Sequence, residues 1–433
     1  MKKNVCNIFI ALLLVLCLIP GIGLMVVGPA EAVANETAAA APKLVRNGTW
    51  NADFLSDLSD YVGKGFFLRP QCITLWDRLC SGVFGTSAND DVVLGREGWL
   101  FYAPTVSDYT GSDRMSDREL YCAARSLALM AEYAESCGAE FVFTIAPNKN
   151  TLYGEYMPSL PTVSEGSNRE SLVPLLAEQG VNYLDLVSVF AAEDEILYWQ
   201  TDSHWNGRGA ALAADAIADC LGLDTAYFSG PFEEGEHTGD LYEMLYPASS
   251  RTETDWVYSP GYSYEYTSRY LSEDDITIRT TGSGEGTLLL FRDSFGRNLF
   301  PYLADGTAEA CFSRANNYRL DWAEGTDAVV VELVERNLSY LLQYPPVLPA
   351  PERDSSVTEG LASAAVSCDS KASDMEGYVC LSGSLPGTAD ESSVYLLLDG
   401  ALFETTPGAE SFTAHVPEAY AAAAATVFYL PEG

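Results

Sequence analysis

Thr287-Leu288-Leu289-Leu290-Phe291-Arg292-Asp293-Ser294-Phe295-Gly296 is the stretch from which the fold can be worked out. Its apolar run has no polar alternation, as expected of a strand buried on both faces in a parallel sheet. The run breaks at Arg292-Asp293, presents a hydroxyl at Ser294 and turns at Gly296, and Asn298 to Leu303 can open a helix. Reactive groups in doubly wound sheets gather where strands end at their carboxyl side. A helix start there aims backbone N–H groups at a developing oxyanion. Ser294 therefore stands where a nucleophile is useful, although an ordinary helix N-cap would occupy the same place.

A serine becomes a nucleophile only beside a base, and the base needs a partner that fixes its tautomer. The chain has 3 histidines, His204, His237 and His415. His204 lies in Thr201-Asp202-Ser203-His204-Trp205-Asn206-Gly207, with a carboxylate two residues upstream. In an extended segment, side chains two apart share a side. Asp202 could then hold one imidazole nitrogen while the other faces Ser294. The alternative is a loop histidine capped by a local carboxylate. Trp205 either packs or stacks on a sugar face. Asn148, Lys149, Trp205 and Arg292 are expected to position a substrate, with turn residues as the alternative for Asn148 and Lys149, which follow a strand end. His237-Thr238-Gly239-Asp240-Leu241 reads as a loop lining the cleft. Asp202, His204, His237 and Asp240 could together be read as metal ligands, but no helical His-x-x-x-His pair supports that. The expected site holds no metal and no cofactor.

Outward from the site, strands and helices alternate. Ser116 and Glu119 have capping-box spacing, followed by apolar residues at helical period to Ala134 and a stop at Gly138. Strands are expected at Phe141–Ile145, Val181–Leu186, Thr287–Phe291 and Ala328–Leu333, and a helix from Gly207 to Leu221. Val92–Leu94 and Leu100–Tyr102 flank a glycine turn. The pattern predicts an α/β domain with a sheet covered on both faces. After Tyr344, prolines at 345, 346, 349 and 351 read as a linker. Short alternating runs with an Asp399-Gly400 hairpin signal then predict a small all-β domain of sandwich type.

The formal charge of −37 argues against nucleic acid or anionic lipid headgroups as partners. Lys2 and Lys3 precede an apolar run from Ile8 to Val27, followed by small residues, Ala30-Glu31-Ala32 and Ala32-Val33-Ala34. This is a signal peptide or an N-terminal anchor. Either one puts the rest of the chain outside the cytoplasmic membrane. Disulfides are permitted there, and Cys368 and Cys380 flank a turn-rich stretch that a bridge could close. No Cys-x-x-Cys pair is present.

Five blocks, Gly95–Tyr102, Ala146–Tyr153, Thr201–Ala210, Arg292–Leu303 and Val329–Leu341, resemble the alginate O-acetyltransferase-type SGNH-hydrolase-like family, including its DHHW branch. The likeness covers roughly residues 90–345, with the blocks in the family's order. Where the branch reads Asp-His-His-Trp, this chain has Ser203 in the second place. The resemblance implies a circularly permuted SGNH-hydrolase-like three-layer domain, with Ser294 as nucleophile, His204 as base and Asp202 as its orienting carboxylate. It also implies acetyl transfer to, or removal from, hydroxyls of an extracellular polysaccharide, beside a membrane-bound acyltransferase that supplies acetyl. The expected organisation is a leader at 1–34, a tether with short helices at 35–89, the catalytic domain at 90–345, a linker at 346–356 and a β domain at 357–433. A non-catalytic glycan-binding or assembly protein on the same fold, or a metal-dependent hydrolase, is the alternative.

Overall fold

A computed structural model of the chain describes residues 2–34, 36–38, 40–223, 225–258, 262–385 and 387–431. Two residues of the expected tether, Asn35 and Ala39, lie outside the described residues. The main sheet has seven strands: β1 (Glu140–Ala146), β2 (Tyr183–Leu184), β3 (Glu265–Tyr266), β4 (Thr277–Thr281), β5 (Thr287–Phe291), β6 (Glu309–Ser313) and β7 (Ala328–Val334). Their order is β2-β1-β7-β5-β6-β4-β3. The first five in that order run parallel, and β4 and β3 join antiparallel at one edge.

Alternate residues of the central strands feed two cores, as the period of two requires. Phe141, Phe143, Ile145, Leu289, Phe291, Val329 and Val331 pack under α4 (Asp117–Ser136) and α5 (Asn168–Glu178). Val142, Leu288, Leu290 and Val330 pack under α6 (Gly207–Cys220) and α8 (Gly296–Asp305), with the short α7 (Asp240–Leu245) between them in sequence. The result is a three-layer α/β domain. The Ser116–Glu119 capping box forms at the start of α4, and Gly138 takes φ +86° after its end. The expected strand at Val181–Leu186 shrinks to Tyr183–Leu184. Asp185 instead accepts hydrogen bonds from Val187 and Ser188 N–H and opens a short helix, Leu186–Ala191.

Three helices precede this body or pack beside it: α1 (Lys2–Val27), α2 (Phe54–Gly65) and α3 (Arg69–Leu79). Among the described residues, α1 is the one helix long and apolar enough to cross a membrane, over Cys6–Val27. It fits a signal or an anchor.

The C-terminal region forms two four-stranded antiparallel sheets. One holds β8 (Ala362–Val366), β11 (Tyr395–Leu398), β12 (Ala401–Glu404) and β15 (Ala425–Tyr429), and the other β9 (Asp369–Ala372), β10 (Tyr378–Ser384), β13 (Thr406–Pro407) and β14 (Ser411–Pro417). They share a core around Val379, Leu396, Phe412 and Val427. Asp399 and Gly400 turn the β11–β12 hairpin with φ of 45° and 94°, as a type I′ turn requires. Cys368 and Cys380 are free thiols, so the bridge considered from their spacing is absent. Cys380 lies inside β10 opposite His415, and Cys368 just before β9.

The proline-rich stretch is pinned rather than loose. Val347 pairs with Arg319, Pro349 with His415 and Glu352 with Phe403. Beside it, Glu404 on β12 takes a two-pronged contact from Arg125 of α4, both distances 2.8 Å, and a third from Arg353 at 2.8 Å. Arg353 also grips Glu132 of α4 at 2.6 and 2.5 Å. Burial pushes the Glu404 carboxyl up, but the Arg125 and Arg353 contacts outweigh it and hold it below its usual range.

Candidate active site

Ser294 follows β5 and precedes α8, half-buried at the carboxyl edge of the sheet. Its hydroxyl does not cap α8, whose N-cap position is Phe295 with no side-chain cap bond. Instead Ser294 Oγ lies 3.0 Å from His204 Nε2. His204 Nδ1 lies 2.8 Å from Asp202 Oδ1, and the same oxygen accepts the His204 backbone N–H at 2.9 Å. Nδ1 facing a carboxylate carries the proton, which leaves Nε2 free to accept from the serine. The loop and the strand end, 90 residues apart in sequence, are thus joined in one relay.

The second oxygen of Asp202 is also filled. Oδ2 accepts from His237 Nε2 at 2.8 Å and from the Asp240 N–H at 3.0 Å. Burial alone would raise the Asp202 carboxyl, but the hydrogen bonds from His204 and His237 outweigh it and hold the acid well below its ordinary range. The same hydrogen bond raises His237 against the lowering effect of burial. His237 is fixed by stacking on Trp199, with ring centroids 3.7 Å apart. Asp240 is pushed up by burial and by the Asp202 charge. Ser203 donates its hydroxyl to Asp240 Oδ2 at 2.7 Å and lies 3.1 Å from His204 Nδ1. Ser203 thus braces the imidazole edge from the place where the DHHW pattern has histidine. Gly239 lets this loop approach, since a Cβ there would come within 2.2 Å of the Thr201 carbonyl oxygen.

Beneath Ser294, Asp293 ties the turn down. Its Oδ1 accepts the Phe295 N–H at 2.9 Å, and its Oδ2 accepts the Val334 N–H at 2.8 Å and Asn337 Nδ2 at 3.3 Å. Glu332, buried beside it, is raised well above the usual carboxylate range by burial and by the Asp293 charge. Ser294, Asp293, Glu332, Asn337, Arg314 and Tyr340 line a pocket of about 220 Å³.

Four residues expected to touch substrate fare differently. Trp205 is 0% exposed and packs edge-on to Phe295 at 4.9 Å, so it belongs to the core and not to a sugar face. Lys149 is buried, and its ammonium donates to the carbonyls of Trp199, Gln200 and Asp202 at 3.2, 3.1 and 2.6 Å. Burial lowers it to about 8. Asn148 is buried against Glu335 and Asp108. Lys149 and Asn148 shape the site's loops from behind. Arg292 lines the pocket, but one arm of its guanidinium is spent on the Glu273 and Asp275 carbonyls at 2.6 and 3.3 Å. Sequence reading placed His237 and Asp240 near the cleft but not on Asp202. It gave no role to Ser203, Glu332 or Asn337.

Asp202, His204 and Asp240 each bring a ligand atom within 4.8 Å of the others. Both nitrogens of His204 and both oxygens of Asp202 already have partners, so a cation there would have to displace them.

A mostly parallel three-layer sheet with a serine at a strand end, facing an imidazole from another loop, defines an SGNH-hydrolase-like protein. Residues 92–276 match the family model described as the SGNH hydrolase-like domain of acetyltransferase AlgX. A curated relative, "Probable alginate O-acetylase AlgJ" of Pseudomonas putida, is 24% identical over 164 residues. That alignment takes in 36% of this chain and 42% of the relative, less than half of its length. Among solved structures, a DHHW family protein from Eubacterium siraeum is similar at 16% identity and TM-score 0.43, covering 59% of this chain and 99% of that one. Bacillus cereus PatB1 is similar at 16% identity and TM-score 0.46, covering 58% and 99%.

Proposed function

We propose that this protein is an exported serine-dependent O-acetyltransferase or acetylesterase acting on hydroxyls of a cell-surface polysaccharide. The observation that carries this reading is the unbroken contact chain Ser294–His204–Asp202, with the serine opening on a pocket. The names of the relatives, an acetyltransferase and an alginate O-acetylase, support the acyl group and the glycan class.

In the proposed cycle Ser294 Oγ attacks the carbonyl carbon of an acetyl ester while its proton passes to His204 Nε2. The negative charge of Asp202 stabilises the imidazolium that forms. Asn337 uses one amide hydrogen on Asp293 and has a second to offer the oxyanion. Collapse of the tetrahedral intermediate expels the donor alcohol, which takes the proton from His204 and leaves acetyl on Ser294. A sugar hydroxyl then gives its proton to His204 and attacks the acetyl-serine; the bond to Ser294 Oγ breaks, the new ester departs, and Oγ takes the proton back from His204. Water in its place gives acetate. The apolar leader supports action outside the cytoplasmic membrane, and a membrane-bound acyltransferase is the partner proposed to deliver acetyl.

The full-length protein should release acetate from an aryl acetate. Ser294→Ala and His204→Ala should each lower the rate by about 10³-fold or more. Wild-type rates in both variants would remove the mechanism, and no acetate release from the unmutated protein would leave a non-catalytic glycan-binding protein.

A further inference from the structure

Helix α3 is built inside out. Its buried stripe is polar: Thr74 Oγ accepts the Ala248 N–H at 2.9 Å, and Asp77 Oδ1 accepts the Ala88 N–H at 3.1 Å. Arg78 adds a bond to Ser249 and Tyr246 one to Ser81, which fixes this face to the main body. The opposite stripe points to solvent. Leu75 is 72% exposed, Trp76 57% and Leu79 46%, and the chain continues into exposed Val83 and Phe84. Helix α2 does the same with Leu55, Leu58 and Val62. A single exposed leucine is ordinary, but apolar stripes left open on two helices consecutive in the chain mark a surface that something covers.

The position of this face says what covers it. The Phe67 N–H at the α2–α3 corner donates to the Pro20 carbonyl of α1 at 3.1 Å, and the Ala30 N–H donates to the Gly65 carbonyl at 3.0 Å. Pro20 lies seven residues before the end of α1, about 10 Å along its axis at 1.5 Å per residue. With α1 across a bilayer, the corner sits at the depth that interfacial helices reach, about 5–10 Å below the headgroup boundary. The charge also fits. Residues 43–84 carry Lys43, Arg46, Lys64, Arg69 and Arg78 against Asp53, Asp57, Asp60 and Asp77, nearly neutral in a chain of −37. This is the part of the molecule that a lipid surface would not repel.

We infer that the outward faces of α2 and α3 lie in the outer surface of the lipid bilayer crossed by α1. The protein then rests on the membrane through a second contact that orients its body. This goes beyond the catalytic reading and does not depend on it, because aryl acetate turnover reports the serine site separately.

The test uses the full chain in phosphatidylcholine vesicles whose acyl chains are brominated. Trp76 emission, obtained by subtracting a Trp76→Phe variant, should fall by about half or more, as expected of a ring in the interface. Leu75→Glu with Leu79→Glu should restore that emission while leaving aryl acetate hydrolysis at its wild-type rate. Trp76 emission that bromine leaves unchanged and aqueous iodide quenches freely would overturn the inference. It would mean that lipid does not cover the face, and that a protein partner missing from these vesicles does.

Discussion

Among the described residues, two serine–histidine pairs join side chains far apart in sequence, and only one is built as a catalyst. Ser294 Oγ lies 3.0 Å from His204 Nε2, and Ser373 Oγ lies 2.8 Å from His415 Nδ1. Distance alone would favour the second. What separates them is what surrounds each ring. His204 has a carboxylate on its other nitrogen, and that carboxylate is held below its ordinary range by two imidazoles. Among the described residues His415 has no carboxylate in hydrogen-bond contact, and burial in the β region lowers it. Ser373 also accepts the Met375 N–H at 3.1 Å, which makes it a turn residue. A base needs an anion to stabilise the charge it gains, and only the first pair has one.

Asp202→Asn attacks that difference directly. It leaves the geometry but offers His204 the wrong hydrogen-bond partner, and aryl acetate turnover should drop by about 10⁴-fold. A drop of tenfold or less would mean that the carboxylate is not what sets the two pairs apart. His237→Gln should have a smaller effect. Losing a hydrogen bond to a charged group costs about 1.5–3 kcal/mol, so activity should fall by about 10- to 100-fold.

The same substitution has a pH signature in stability. His237 is raised above 6.5 in the folded state, so its stabilising contribution is fully present below 6.5 and is lost as pH rises through the folded value. Melting temperatures should therefore show a larger loss for His237→Gln at acidic pH than at alkaline pH. An equal loss at both would detach His237 from Asp202. Ser373→Ala is the smallest expected change, about 1 kcal/mol in stability with acetate release unaltered. Loss of activity there would make the second pair functional after all.

The central sheet was legible because strands buried on both faces have no polar residue to disguise them, as Leu288–Phe291 and Val329–Val331 illustrate. The Asp202–His204 spacing and the strand-end Ser294 were legible because each is local. What failed depended on distant contacts. His237 reaches Asp202 from the end of a hairpin, Phe232–His237 paired with Glu253–Tyr258, whose mixed polar pattern gives no register. Lys149, just past a strand end, reads as a residue that meets substrate or makes a turn, yet three carbonyls draw it inside. Trp205 carries no mark that separates a stacking platform from a core ring. In α3 the rule that apolar faces turn inward is reversed, and the sequence does not say which side of a helix its protein occupies.

The seam between α4 and the C-terminal sheets also sets how heat would take the molecule apart. Arg125, Glu404, Arg353 and Glu132 form an alternating row of charges, and Glu404 within it is buried. Removing Arg125 alone would leave Glu404 short of a cation in a low-dielectric place, at a cost of about 3–5 kcal/mol. Neither side can loosen cheaply while the other stays intact. In a calorimeter the two should therefore melt together, as one endotherm.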